Sequence, residues 1–164
     1  MKLLGKIAAE IELMFRRPPR QQFGAICYRW NESEGALRLE VLLITSRDTG
    51  RWVIPKGWPM GQKKSHAVAE REAYEEAGVK GKVGKKPYGD YSYDKAMPGG
   101  MAVPCMVLVF LLEVRELKTD FPEMGARRLE WFSPESAAEQ VREPQLKVLL
   151  RNLPQKLAPP VAKA

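Results

Sequence analysis

Between Gly57 and Val79 the chain reads GWPMGQKKSHAVAEREAYEEAGV, and no other segment limits the fold as tightly. The run from Ser65 to Ala77 contains no Gly or Pro and is rich in Ala and Glu, so it predicts a helix, with Ser65 as N-cap and Gly78 as the left-handed residue that ends it. On that helix Glu72, Glu75 and Glu76 stand at i, i+3 and i+4, and therefore share one face. Like charges at this spacing repel by a few tenths of a kcal/mol per pair. Three carboxylates held together against that cost suit a hard divalent cation, because Mg²⁺ takes carboxylate and water oxygens. The competing reading is a plain solvated helix face. Arg71, four residues before Glu75, is placed to orient it, and Gly57 and Gly61 bracket a loop able to bring backbone carbonyls close to a metal.

The remaining pattern supplies a sheet for this helix to pack on. Phe23 to Trp30 predicts a strand, Asn31 to Gly35 a turn, Leu37 to Thr45 a second strand and Trp52 to Ile54 a short third one. Pro55 to Gly61 predicts a loop, and Val79 to Tyr93 strand and turn. Met97 to Gly100 predicts a loop tip, Ala102 to Val114 the longest strand, and Arg128 to Phe132 a short one. Ser133-Pro134 opens a helical region running to about Leu153, and Pro154, Pro159 and Pro160 mark a frayed tail. Leu4, Ile7, Ala8, Ile11, Met14 and Phe15 predict an amphipathic helix over 2–15, closed by Arg-Arg-Pro-Pro-Arg. Strands interrupted by one strong central helix imply a mixed α/β sandwich.

A chain of 164 residues fits one such domain and needs no disulfide or metal staple. Cys27 and Cys105 lie in apolar surroundings, and with His66 as the only histidine they make no four-ligand zinc site. They are expected to be buried reduced thiols of a cytoplasmic protein. No apolar run reaches the roughly 20 residues of a membrane span, and Lys6, Glu10 and Glu12 break the apolar start too early for a leader peptide, so no membrane partner is expected. With 27 Lys and Arg against 20 Asp and Glu, the net charge of +7 leaves anionic partners open.

Gly57, Arg71, Glu72, Ala73, Glu75, Glu76, Gly78 and Val79 fall at the positions of the Nudix box, G-x5-E-x7-R-E-U-x-E-E-x-G-U, where U is aliphatic, and the chain resembles that family. The small Ala73 and, more seriously, Lys63 in place of the first box glutamate depart from it. The resemblance implies an α/β/α sandwich with a mixed β-sheet, with an N-terminal helix and linker over 1–20, the catalytic domain over 21–154 and a tail over 155–164. Ser46-Arg47, Arg51 to Pro55 and REAYEEAGVKGKVG further resemble the diphosphoinositol polyphosphate phosphohydrolase branch, whereas Pro55-Lys56-Gly57 is similar to diadenosine tetraphosphate hydrolases.

The implied function is Mg²⁺-dependent cleavage of a phosphoanhydride bond in a small polyphosphorylated substrate, with Mn²⁺ as a substitute metal. Glu72 and Glu76 would hold the metal with a carbonyl of Lys56 or Gly57, Glu75 would be the base, and Arg71 would position the carboxylates. Glu72 or a loop glutamate stays open as an alternative base, and Glu123, in the acidic loop ahead of Glu130-Trp131-Phe132, is a candidate for recruitment to the site. Ser46, Arg47, Arg51, Lys56 and Trp58 are the expected substrate contacts; Lys63 is either a phosphate contact, a source of weakened metal affinity, or a solvated loop residue. Tyr91, Tyr93 and Lys95 are candidates for lining the cleft. Two other readings are a non-catalytic sensor of a nucleotide-like ligand and a hydrolase of RNA 5′ ends. Glu72, Glu75 and Glu76 together argue against the sensor, and the lack of a basic cluster interleaved with aromatics disfavours nucleic acid. Oligomeric state is not legible.

Overall fold

The computed structural model describes residues 3–8 and 18–161. Residues 3–8 are helical and exposed; the rest of the expected N-terminal helix lies outside the described residues. The elements run β1 (Arg20–Ser33), β2 (Ala36–Thr45), β3 (Trp52–Val53), β4 (Lys56–Gly57), α1 (Ser65–Ala77), β5 (Val79–Val83), β6 (Gly89–Ala96), β7 (Ala102–Leu117), β8 (Leu129–Phe132), α2 (Pro134–Gln140), α3 (Pro144–Arg151) and α4 (Leu153–Lys156). Among the described residues the strands form one eight-stranded sheet with a central path β3-β2-β1-β7-β5. It is mixed: β1 and β7 run parallel from Arg20↔Cys105 to Tyr28↔Glu113, and the other pairings are antiparallel.

Period-two alternation along the central strands builds two cores. Ala25, Cys27, Leu42, Ile44, Phe110 and Leu112 point to one face, where Ala69, Ala73 and Ala77 of α1 pack on them. Ile26, Tyr28, Val41, Leu43, Val107 and Val109 point to the other, covered by Ala137, Ala138, Leu146, Leu150 and Leu153 of the C-terminal helices. The small Ala73, a poor match to an aliphatic box position, is fully buried. It lies in the face of α1 that meets the sheet, where alanines let helix and strands approach closely.

Several expectations from the sequence are corrected. β1 continues through Asn31 to Ser33, so the turn shrinks to Glu34-Gly35, both at positive φ. Lys56-Gly57 is not loop but a short strand pairing with Phe23 and Gly24 of β1, so the first residues of the Gly- and Pro-rich segment are fixed by sheet hydrogen bonds. Lys64, not Ser65, is the N-cap of α1, with no side-chain cap bond. The C-terminal helical region is three helices, interrupted at Val141 and at Asn152. Pro144 requires the break before α3, since it has no amide to continue a helix from α2. The tail is not frayed at its start: Leu153 is buried and Leu157 packs on the core.

Gly78 ends α1 as expected, at φ 70°, with its amide donating to the carbonyls of Ala73 and Tyr74. Its carbonyl accepts from Lys118, and a Cβ at Gly78 would stand 2.6 Å from the Lys118 carbonyl oxygen. Both features demand glycine there. Cys27 and Cys105 are buried free thiols.

Candidate active site

Three pieces of backbone meet above one edge of α1. β4 lies against β1, the loop after β7 is tied to α1 by the Glu123 amide donating to the Glu75 carbonyl at 2.9 Å, and Thr45 at the end of β2 is clamped to Arg128 by two hydrogen bonds. Between them lies a cavity of about 530 Å³ lined by Ser46, Arg47, Lys56, Gly57, Trp58, Glu72, Glu76, Glu123 and Arg127 among others.

Glu72 and Glu76, one turn apart, face this cavity and hydrogen-bond to each other. Glu76 is only 5% exposed. Burial pushes its carboxyl up to about 8, opposed by the charges of Arg127 and Lys56 and reinforced by Glu72. Burial, with the charges of Glu75 and Glu123, also raises Glu72 against its hydrogen bond from Glu76. Lys56 is the counterpart: burial lowers its ammonium to about 8, with Glu76 pulling the other way. Its Nζ stands 5.1 Å from the centroid of the Tyr93 ring.

Arg127 escaped sequence reasoning and organises the acidic side. Its Nη1 donates to the Thr45 carbonyl at 3.1 Å, and its Nη2 lies 3.3 Å from Glu123 Oε1 and 3.6 Å from Glu76 Oε2. Its Nε is buried without a partner. The legible signal was its place four residues after Glu123. Arg47 reaches Glu123 Oε1 as well, at 3.2 Å, so the loop carboxylate is held by two guanidinium groups through one oxygen. Gln22, also not anticipated, accepts a 2.5 Å hydrogen bond from the Tyr93 hydroxyl at the cavity wall.

Other expected residues are placed differently. Glu75 does not line the cavity; it accepts a 2.7 Å bond from Arg71 Nε on the outer flank of α1. Arg51 points away, into a 2.6 Å ion pair with the buried Glu143, and lines an adjoining cavity. Tyr93 and Lys95 line both cavities, while Tyr91 is core. Trp58 lines the first cavity with the Arg20 guanidinium stacked 4.5 Å from its ring centroid. His66 packs edge-on against Phe110. Lys63 is exposed and lines neither cavity. Changing Lys63→Glu is therefore expected to move the Mg²⁺ concentration for half-maximal rate by less than about threefold, the size of a screened surface charge. A tenfold shift in a Mg²⁺ titration at saturating substrate would put Lys63 back at the site.

The donor set fits a hard divalent cation. Burial disfavours the charged form of both crowded carboxylates, which a cation would reverse. A Cβ built on Gly57 falls on the Glu72 carboxylate, so the glycine leaves the space that this carboxylate fills. Among the described residues no group of three or more His, Cys, Asp or Glu is placed to hold a metal ion. A Mg²⁺ ion bound through one or two carboxylates keeps several waters and takes substrate oxygens.

The NUDIX domain family model matches residues 20–153. The chain belongs to the Nudix hydrolase family. Mouse diphosphoinositol polyphosphate phosphohydrolase 3-alpha is 32% identical over 121 residues, 72% of this chain and 66% of the mouse protein. This Nudix chain thus spans just under two thirds of the length of the curated relatives it matches first. Nudix hydrolase 16, mitochondrial, of Arabidopsis thaliana is 31% identical over 121 residues, covering 70% of this chain and 65% of its own. The fold is shared with C. elegans Ap4A hydrolase (TM-score 0.63, 21% identity, 86% of this chain and 100% of that one). It is shared also with the NUDIX domain of Shewanella oneidensis NrtR, solved in complex with ADP ribose (TM-score 0.62, 10% identity, 88% and 92%). No described helix is long and apolar enough to cross a membrane.

Proposed function

We propose that this Nudix chain is a divalent-metal-dependent hydrolase of phosphoanhydride bonds in small polyphosphorylated substrates of the diphosphoinositol polyphosphate or diadenosine polyphosphate kind. The observation that carries the reading is Glu72 and Glu76, one turn apart, in a cavity that Arg47, Lys56 and Arg127 also line. Carboxylates interleaved with cations suit a metal-chelated phosphate chain. We place the catalytic unit at 21–154 and the protein in the cytoplasm; the mitochondrial names of the plant relatives make the compartment a matter for direct imaging of the tagged protein.

Glu72 and Glu76 would hold Mg²⁺, or Mn²⁺ in its place, with a carbonyl of Lys56 or Gly57 adjacent. The cation, when bound, supplies Lewis-acid charge to the phosphate oxygens and makes the attacking water more acidic. Lys56 and Arg47 would bind the phosphate oxygens that remain. Ser46 and Trp58 would border the substrate. The proton of the attacking water needs an acceptor that faces the cavity. Glu123 meets that condition, with Oε1 held by Arg47 and Arg127 and Oε2 outside those contacts, whereas Glu75 is taken up by Arg71. Arg71 then steadies the outer flank of α1 through Glu75.

Release of phosphate from a panel of diphosphoinositol phosphates, diadenosine polyphosphates and nucleoside triphosphates, with Mg²⁺, Mn²⁺ or chelator, tests this reading. Metal-dependent turnover of the first two classes supports it; turnover of none of the panel defeats it.

Because Glu76 must ionise to bind a cation and its carboxyl sits up to about 8, metal binding at pH 7 should release close to one proton. Apparent Mg²⁺ affinity should rise by up to roughly tenfold per pH unit below that value and level off above it. Calorimetry in two buffers of different ionisation enthalpy reads the proton directly, and an affinity flat from pH 6 to pH 9 would contradict the assignment of Glu76.

A further inference from the structure

At the end of the sheet opposite β3 lies β5, which among the described residues pairs only with β7. From Lys80 to Lys86 the chain reads KGKVGKK, four lysines in seven residues with no carboxylate. The backbone lines them along one edge. Lys80 and Lys82 belong to β5. The amides of Gly84 and Tyr88 donate to the Leu111 and Val109 carbonyls of β7, each at 2.8 Å, so the turn carrying Lys85 and Lys86 is held on the same edge. All four lysines are exposed. Lys80 and Lys82 stand opposite Glu116 and Glu113 in the ladder, but those carboxylates pair with Lys118 at 3.0 Å and Arg115 at 3.3 Å. Among the described residues none of the four lysines has an ion-pair partner. No aromatic interleaves with the run in the sequence; folding brings Tyr74 of α1 to it, with Lys80 Nζ 4.0 Å from the ring centroid.

Lysines on an edge strand, and the bulge between Lys80 and Gly81, keep another strand from pairing there. That protection accounts for Lys80 and Lys82. It does not account for Lys85 and Lys86, which follow the strand. The same features work against an acidic peptide added as a strand. The four lysines line neither cavity, so no pocket is present to take a partner's side chains. A phosphate backbone needs neither a strand edge nor a pocket, only a row of cations. Seven residues at about 3.3 Å each give a row of roughly 20 Å, and a single row suits a single strand.

We propose that the β5 edge from Lys80 to Lys86 binds single-stranded nucleic acid through its phosphates, without reading its sequence and apart from the carboxylate cleft. The test is fluorescence anisotropy of a labelled single-stranded RNA of mixed sequence, titrated with the full chain in chelator over a range of NaCl concentrations. Saturable binding is expected at roughly 10⁻⁶–10⁻⁴ M, with log Kobs falling against log[salt] at a slope of about −3 for four phosphate contacts. Lys85→Gln/Lys86→Gln should weaken binding by about tenfold and reduce the slope by about 1.4. Arg38→Gln/Arg151→Gln removes the same charge from exposed sites on β2 and α3, and should change both far less. On the native chain, amide NMR should show RNA shifting residues 80–86 and leaving Glu72 and Glu76 in place. Absence of saturable binding, equal losses in the two double variants, or shifts confined to the cleft overturns the proposal. So does tighter binding of poly-glutamate, which would mark an acidic protein partner, or of phosphatidylserine vesicles, which would mark a membrane. No turnover enters these readings, so failure of the hydrolase reading leaves them standing, and their failure leaves the hydrolase reading untouched.

Discussion

Glu76→Gln is expected to abolish turnover, lowering kcat by about a thousandfold or more, while the metal-free protein becomes more stable at high pH. The two effects have one cause. Glu76 is buried beside Glu72, and burial raises its carboxyl from 4.5 to about 8. A group whose folded pKa is raised contributes its stability fully below the unfolded value and loses it as pH climbs through the folded one. At pH 9 the native chain therefore carries a buried, ionised Glu76 next to Glu72, and the glutamine variant does not. Lys56 titrates in the opposite sense, since burial lowers it, but it is present in both proteins. In chelator at pH 9 the variant should melt roughly 2–8 °C higher than the native chain, with the gap closing at pH 5. Activity near the native level in the variant, or a variant that melts lower at pH 9, would remove Glu76 from the metal site.

Gly57→Ala should also cost much activity, though less than Glu76→Gln, with little cost in stability. No left-handed φ is required at Gly57, so its backbone accepts alanine. The new methyl group instead lands on the Glu72 carboxylate, the far end of a flexible side chain that can swing aside. Stability should change by less than about 1.5 kcal/mol, but Glu72 can no longer occupy its place beside Glu76, and kcat should fall by about a hundredfold. Steady-state kinetics over a Mg²⁺ range checks this. A variant with native kcat and native Mg²⁺ dependence would show that Glu72 does not need the space Gly57 leaves.

Local sequence reasoning found the parts of the fold that local chemistry decides. α1 runs over the predicted residues, because a run without Gly or Pro meets a left-handed glycine stop at Gly78. β1 and β2 lie where Phe23 to Trp30 and Leu37 to Thr45 predicted strands. What escaped was set by tertiary pairing. Lys56-Gly57 is too short to carry a strand pattern and becomes one only because β1 offers an open edge there.

The site divides the same way. Glu72 and Glu76 reach one cavity because helical spacing puts them on one face, but the same spacing could not say that Glu75 would fall outside it. Arg51 read as a phosphate contact because its partner Glu143 lies far along the chain, at the head of α3. Arg127 carried no motif, yet it links Thr45, Glu76 and Glu123.

Manganese binding, followed by the disappearance of the free-ion EPR signal on titration of the protein at pH 8, tests most directly the claim that the carboxylates of α1 form a metal centre. The account predicts saturable binding by the native chain, weakened by about tenfold or more in Glu72→Gln and in Glu76→Gln, and left intact in Glu75→Gln. Equal binding by the native chain and the first two variants, or a loss seen only in Glu75→Gln, would contradict it.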